Sequence, residues 1–381
     1  MRLIEQVRGD EASMSLRYAV IGTGMMGQEH IRNIALLPDT EIVAIADPHE
    51  EMRSSGALLA AQSGFSGVHV FSDHREILSS GIADAIVVAS PNDTHREMMD
   101  GLLATRLPIL LEKPSCTTAE DAWAIARKAN GREAPVWVAM EYRYMPPVAR
   151  LAEEVRKGTA GILKMLSIVE HRYPFLRKID NWNRFSARSG GTMIEKCCHF
   201  FDLMRLITES EPVRVFGSGA QDVNHLDESH HDGTADVLDN AFVIVDFANG
   251  MRASLDLCMF AEGSYFQERV SVVGDAGKIE TVVPGPARFW PGGAERASEI
   301  IISPRADKTP KREAVHVDEH LLRAGDHHGG TYFQHLKFNA IVREGGMPEV
   351  SLHDGAMAVE MGAAAERSIR EGIVVHLEDR A

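Results

Sequence analysis

Between residues 17 and 140, short apolar runs alternate with stretches whose apolar positions recur at helical spacing. The runs Tyr18–Ile21, Ile42–Ala46, Val68–Phe71, Ala85–Ala89, Ile109–Leu111 and Val136–Met140 are continuous rather than alternating, as strands buried on both faces are. Between them, Gly27–Leu37, Glu51–Gln62, His74–Ser79, Thr94–Ala104 and Thr118–Lys128 read as helices. This order predicts an α/β fold with a doubly wound parallel sheet. After about Pro146 the texture changes. A helix (Val148–Lys157) leads into a strand pattern (Lys164–Arg172), an irregular basic stretch and one helix from about Thr192 to Ile207. The runs Val213–Gly219, Ala241–Phe247, Met251–Phe260, Arg269–Val273 and Lys278–Val282 then follow without intervening helices, predicting an α+β unit with a mixed, largely antiparallel open sheet. Val283–Gly329, rich in Pro, Gly and charge, reads as loops. Helices Tyr332–Glu344 and Leu352–Glu371 and a strand Ile373–Leu377 come last. The expected division is a poorly ordered tail at 1–14, one domain at 15–145 and a second at 146–381.

Composition narrows the function classes. The 381 residues carry 40 Lys and Arg against 55 Asp and Glu, a net charge of −15. That balance disfavours binding to nucleic-acid phosphates. No apolar run approaches the ~18 residues that a membrane helix needs. The four cysteines, two of them adjacent (Cys197, Cys198), make no disulfide framework and point to a reducing, cytoplasmic setting. Adjacent cysteines also lack the usual zinc spacing, so they read as small buried hydrophobes, and no metal is expected. The His/Asp-rich stretch His225–Asp232 is irregularly spaced and reads as a solvated loop.

Against that background one motif changes the picture. Gly22-Thr23-Gly24-Met25-Met26-Gly27 follows the first strand and opens a helix. Gly22 permits the tight turn, Gly24 lets the backbone approach a pyrophosphate, and Gly27 allows close helix–strand packing; Met25 and Met26 sit at the helix start. Asp47 ends the second strand, where an acid binds the adenosine ribose and repels a 2′-phosphate, so NAD is the expected cofactor. Ser90-Pro91-Asn92 with His95, and Glu112-Lys113-Pro114, follow two further strands and fall on the same sheet edge. Pro114 restrains the backbone around Lys113.

A second constellation lies at Ser189–His199, where Gly190-Gly191 precede Thr192, a helix cap. Glu195 and His199 are four apart and would share one helical face with Lys196. A histidine beside a carboxylate suits general acid/base work, and a surface ion pair has the same spacing. From His171 to Lys196 there are six Lys and Arg (Arg172, Arg177, Lys178, Arg184, Arg188, Lys196) against Asp180 and Glu195. This excess either binds an anionic substituent of a substrate, with His171, Arg172, Arg184 and Lys196 as the candidate contacts, or pairs with acids elsewhere.

Together the glycine loop, Asp47, Ser90 to His95, Glu112-Lys113-Pro114, Trp182, Gly190-Gly191 and Glu195 to His199 resemble the glucose–fructose oxidoreductase/inositol dehydrogenase/MocA family. The resemblance runs through nearly the whole chain after residue 15. It implies a Rossmann domain, a C-terminal α/β domain whose open sheet forms homo-oligomer contacts (a dimer or tetramer), and NAD-dependent oxidation of a secondary hydroxyl on a sugar, sugar acid or cyclitol. The family's lysine and histidine map onto Lys113 and His199, and its aspartate onto Glu195; Ser90, Asn92, His95, Glu112 and Trp182 fall with the cofactor. Lys196, Cys197 and Cys198 depart from the small residues usual before the histidine. On this reading His199 takes the hydroxyl proton, Glu195 orients the imidazole and Lys113 stabilises the developing alkoxide, although lysine and histidine could exchange duties. Two other outcomes are open at this level: a redox-neutral, NAD-dependent glycosidase, and a cofactor-bound regulator.

Overall fold

The computed structural model describes residues 15–230, 233–293 and 296–378. The tail expected at 1–14, and His231 and Asp232 of the His/Asp-rich stretch, lie outside them. The first half runs β1 (Leu16–Ile21), α1 (Met25–Ile34), β2 (Thr40–Ala46), α2 (Glu50–Gln62), β3 (His69–Phe71), α3 (His74–Ser80), β4 (Ala85–Val88), α4 (His95–Leu102), β5 (Ile109–Glu112), α5 (Ala119–Lys128) and β6 (Val136–Ala139). The strands form one parallel sheet in the order β3-β2-β1-β4-β5-β6. Strands β4, β5 and β6 are buried at every position, which accounts for their continuous apolar sequences. Local caps set the helix starts: Asp73 with Glu76 at α3, and Thr118 at α5. The start of α1 differs, because Gly24 supplies no side-chain cap and its first N–H groups lack that partner. The strand order reverses between β1 and β4, so the loops after them diverge and open a crevice at this edge.

The second half contains α6 (Pro146–Arg156), β7 (Leu163–His171), α7 (Ser186–Ser189), α8 (Thr192–Glu195), α9 (Cys198–Thr208), β8 (Pro212–Ala220), β9 (Ser229–His230), β10 (Gly233–Thr234), β11 (Asn240–Phe247), β12 (Arg252–Cys258), β13 (Glu268–Gly274), β14 (Gly277–Val283), β15 (Ser298–Pro304), β16 (Lys311–Val315), α10 (Glu319–Ala324), α11 (Gly330–Glu344), α12 (Leu352–Glu371) and β17 (Val375–His376). Nine of these strands form an open sheet in the order β16-β15-β14-β13-β7-β12-β11-β8-β17. Only the β7–β12 pair within it is parallel. One face carries Leu166, Ile168 and Glu170 inward; the other exposes Met165, Phe216, Phe242 and Ile244. The last long helix, α12, returns to the first sheet: Trp123 of α5 donates its indole N–H to Glu360 at 2.5 Å, and Gly355 lies against Val138.

Two expectations fail here. Val283–Gly329 is not all loop, because β15, β16 and α10 lie within it. The triplet Ile300-Ile301-Ile302 pairs with β14, while the Pro- and Gly-rich flanks mask so short a run. Lys311–Val315 is a charged edge strand with no apolar face to mark it. The single helix expected over Thr192–Ile207 is broken into α8 and α9: the Cys197 N–H donates to the Thr192 carbonyl, five residues back, at 3.2 Å. That wide turn offsets everything beyond it.

Candidate active site

The glycine loop is fixed by sterics. Gly22 has φ +86°, and a Cβ there would stand 2.6 Å from the Ala89 backbone; a Cβ on Gly27 would stand 2.0 Å from the Gly22 carbonyl oxygen. Around Gly24 there is open space. The Asp47 carboxylate accepts the Thr23 and His49 N–H groups, each at 2.9 Å, and so is held at the end of β2. Arg53, the nearest candidate for a 2′-phosphate, instead donates to the carbonyls of Asp47 and Pro48. An open cradle over an uncapped helix start, beside an anchored acid, fits NAD.

A cleft of about 850 Å³ adjoins this edge, lined by Met25, Met26 and Gln28 of α1, by Lys113, and by residues of the second half including Arg172, Lys178, Glu195, Lys196, His199 and His327. Lys113, half-buried, follows β5. Its Nζ donates to the Glu195 carbonyl at 3.1 Å and lies 3.8 Å from the Glu195 carboxylate. Burial opposes its charge, but Glu195, with lesser contributions from Glu112 and Glu141, outweighs burial and holds the pKa above the ordinary lysine value. Lys113 is therefore a fixed cation, and the exchange of duties in which it titrates near neutrality is set aside.

Glu195 is buried and over-satisfied. Asn92 donates to it at 2.6 Å and Lys178 at 3.1 Å. Burial raises its pKa, yet Lys113, Lys178 and the Asn92 hydrogen bond bring it down to about 2. Lys178 lies 4.2 Å over the Trp182 ring, which places Trp182 beneath this cluster.

The expected Glu195–His199 unit does not form. The wide turn at Cys197 removes the i,i+4 register, and the two side chains face different partners. His199 stacks on Tyr142, with centroids 4.2 Å apart, and turns Nε2 towards Glu141 at 3.6 Å; Nδ1 has no hydrogen-bond partner among the described residues. Burial first, then the charges of Lys113, Lys196, His327 and Arg172, push its pKa well down, so the imidazole is neutral. Glu141 follows β6, and both its carboxylate oxygens are buried without a hydrogen-bond donor among the described residues. His327 Nε2 stands 3.4 Å from it, and His327 Nδ1 pairs with Glu29 of α1 at 2.7 Å.

The remaining candidates divide. Five of the six cations in the basic stretch have carboxylate partners: Arg172 and Lys196 on Glu170, Lys178 on Glu195, Arg184 on Glu228 and Arg188 on Asp93. Lys196 also donates to the Tyr142 hydroxyl at 2.5 Å. Arg172 and Lys196 line the cleft; His171 and Arg184 do not. Strand parity explains His171, since Glu170 points inward and its neighbour must point to the open face, where His171 meets Asp256 at 3.0 Å. Several candidates near the cofactor edge face protein. His95 bridges the carbonyls of Pro114 and Ser90, Glu112 pairs with His30 at 2.9 Å, and the Ser90 hydroxyl meets that of Thr94. They shape the edge from behind. The cysteine thiols are all free, and no group of three or more His, Cys, Asp or Glu among the described residues could hold a metal.

Glu141 and His327 were missed in the sequence, and Lys178 was counted only as part of the basic excess. Glu141 carried a usable signal, a carboxylate directly after a buried strand. His327 carried none, because only tertiary closure brings its loop to the site.

Fold and cleft together define an NAD-binding oxidoreductase. Residues 16–140 match the family model "Oxidoreductase family, NAD-binding Rossmann fold", and 153–377 match "Oxidoreductase family, C-terminal alpha/beta domain". The chain belongs to the Gfo/Idh/MocA oxidoreductase family. It is 25% identical to a myo-inositol 2-dehydrogenase of Thermotoga maritima over 96% of this chain and 99% of that one. It is also 25% identical to an inositol 2-dehydrogenase of Rhizobium meliloti over 94% and 98%. Among solved structures, a levoglucosan dehydrogenase in complex with NADH and levoglucosan superposes with a TM-score of 0.78 at 21% identity, over 96% of this chain and all of the other.

Proposed function

We propose that this protein oxidises a secondary hydroxyl of a sugar or cyclitol, with His199 as general base and Lys113 as hydrogen-bond donor to the reacting oxygen. The observation that carries this is geometric: one cleft beside the dinucleotide cradle is lined by Lys113, held on Glu195, and by His199, whose Nδ1 has no hydrogen-bond partner among the described residues, and their surroundings favour a charged lysine and a neutral imidazole. Bound NAD supplies the hydride acceptor. The Lys113 ammonium lowers the energy of an oxygen that gains negative charge as its proton leaves. His199, kept unprotonated by burial and neighbouring cations, accepts that proton. Glu195 holds Lys113 and Lys178 in place and opposes the loss of their charge on burial. The inositol dehydrogenases at 25% identity support a polyol substrate. With Arg172 and Lys196 engaged on Glu170, an anionic substituent would have to be met by other cations of the cleft, such as Arg177.

The test is a screen of NAD reduction over free sugars, inositols, sugar acids and aryl glycosides. NADH accumulating from a free sugar or inositol is the expected result. Glycoside cleavage that requires NAD without accumulating NADH would replace this reading with the redox-neutral one. NAD binding without any turnover would leave a regulator.

A further inference from the structure

We infer that Glu141, rather than Glu195, is the carboxylate that works with His199: it fixes the imidazole tautomer and receives the proton that His199 takes from the substrate. This inference rests on the reading of His199 as general base given above. Its starting point is geometry. The His199 Nε2 edge faces Glu141 at 3.6 Å, while no hydrogen bond or ion pair joins His199 to Glu195 among the described residues. Both distances around Glu141, 3.6 Å to His199 and 3.4 Å to His327, exceed a formed hydrogen bond, and a small closure on substrate binding would make them bonds. Both Glu141 oxygens are buried and lack donors, a costly arrangement that calls for an occupant or a role.

The proton balance then closes. With its resting proton on Nε2, directed at Glu141, the imidazole leaves Nδ1 as acceptor. The substrate O–H bond breaks and its proton passes to Nδ1. The Nε2 proton passes to a Glu141 oxygen, which returns the imidazole to neutrality. Bound NAD would supply the acceptor for the carbon-bound hydrogen and its electron pair, which balances the oxidation of the secondary alcohol to a ketone. Before the next turnover Glu141 returns its proton to Nε2 as Nδ1 releases its own to water in the cleft that His199 lines, which restores the starting tautomer.

Magnitudes decide between the two carboxylates. Glu195, at about 2, would hold a proton poorly. Burial pushes Glu141 up to about 7, against the opposing charges of His327 and Lys113 and with help from Glu112. His199 lies well below its ordinary 6.5, so a proton arriving there runs downhill to Glu141. His327 tunes the acceptor. Burial works against its charge, but Glu29 and Glu141 raise it to about 9, so it stands as an imidazolium beside Glu141. Glu29 is anchored in turn by the Thr331 hydroxyl at 2.7 Å. From the other elements packed around this group, α9 contributes Asp202, which is engaged by Arg143 at 2.5 Å, and the end of β5 contributes Lys113 and Glu112.

The experiment compares wild type, Glu141→Gln and Glu141→Asp, using the polyol that the wild type oxidises. It reads single-turnover hydride transfer against pH, KM, and NAD binding by fluorescence. Glutamine keeps the shape but takes no proton. The expected result for Glu141→Gln is a rate lower by roughly ten- to a hundredfold, towards the low end of general acid–base effects. KM and NAD binding should hold, and the rise in rate through about pH 7 should vanish. Glu141→Asp should regain part of the rate and the pH limb. A Glu141→Gln variant with the wild-type rate and pH profile overturns the inference. So does an aspartate variant no better than glutamine while NAD binding is intact. If the wild type oxidises no polyol, the proposed function itself fails, and the inference falls with it.

Discussion

Glu195 and Glu141 are both buried carboxylates, the first lining the cleft and the second behind His199 and His327, and their surroundings treat them in opposite ways. Glu195 is met by Asn92 and Lys178 at hydrogen-bond distance and by Lys113 at 3.8 Å, and is held at about 2. Among the described residues Glu141 has no hydrogen-bond donor on either oxygen and meets two histidines at longer range, and burial pushes it up to about 7. The same side chain is thus a permanent anion in one place and a proton carrier in the other. Two acids whose environments drive their pKa values apart can take different duties in one reaction. Here the permanent anion organises cations, and the titratable one stands behind the base.

The largest effect should come from the cation that Glu195 holds. Lys113→Met keeps much of the side-chain length but removes donor and charge. If Lys113 stabilises oxygen as it loses its proton, single-turnover hydride transfer should drop by about 10²–10³, the usual cost of removing one such donor. NAD affinity should hold, because the glycine loop and Asp47 are untouched. A near wild-type rate would remove Lys113 from the chemistry and leave Glu195 with a purely structural duty.

Next in size is a contrast of sign in stability. Glu195 has a folded pKa below its ordinary 4.5, so its contribution is present above 4.5 and is lost as pH falls through about 2. By linkage the contribution is about 3 kcal/mol at neutral pH, an order-of-magnitude figure. Glu195→Gln, which leaves Lys113 and Lys178 without their counter-charge, should lower denaturant stability by a similar amount at neutral pH. Glu141 runs the other way. Its folded pKa lies above 4.5, so the folded state binds the proton more tightly, and stability declines as pH rises from 4.5 to about 7. Glu141→Gln removes that cost: the variant should gain on wild type above about pH 7 and lose the advantage near 4.5. Equal losses in both variants at neutral pH would erase the contrast.

What could be read from the chain follows from how local each cause is. Parallel strands buried on both faces announce themselves as continuous apolar runs, and the glycine loop needs its residues at Gly22 and Gly27 for reasons confined to a few backbone atoms. Asp47 and Lys113 followed because the ends of such strands share one edge. The partnership of Glu195 with His199 was misread because spacing alone assumes an unbroken helix, and one five-residue hydrogen bond at Cys197 undoes it. The basic stretch was misjudged for a different reason. Its net charge is local, but Glu228 and Asp93 come from other segments, and Glu170, just before the counted stretch, turns inward onto Arg172 and Lys196. His327 depends wholly on chain closure.

The smallest effect is expected where strand parity has the last word. His171 is adjacent to both Glu170 and Arg172, and by position it belongs to the same basic stretch. Glu170 points inward to Lys196, whereas His171 meets Asp256 on the open face of the sheet, with its side chain 37% exposed. An exposed pair of this kind contributes at most about 1 kcal/mol. His171→Ala should therefore leave KM, the hydride-transfer rate and its pH profile unchanged. Arg172→Ala, one residue on, releases Glu170 and disturbs Lys196 beside Tyr142, and should raise KM. If His171→Ala raised KM as much as Arg172→Ala does, the substrate would have to be contacted from the opposite side of the sheet, and the cleft lined by Glu195 and His199 would not be where it binds.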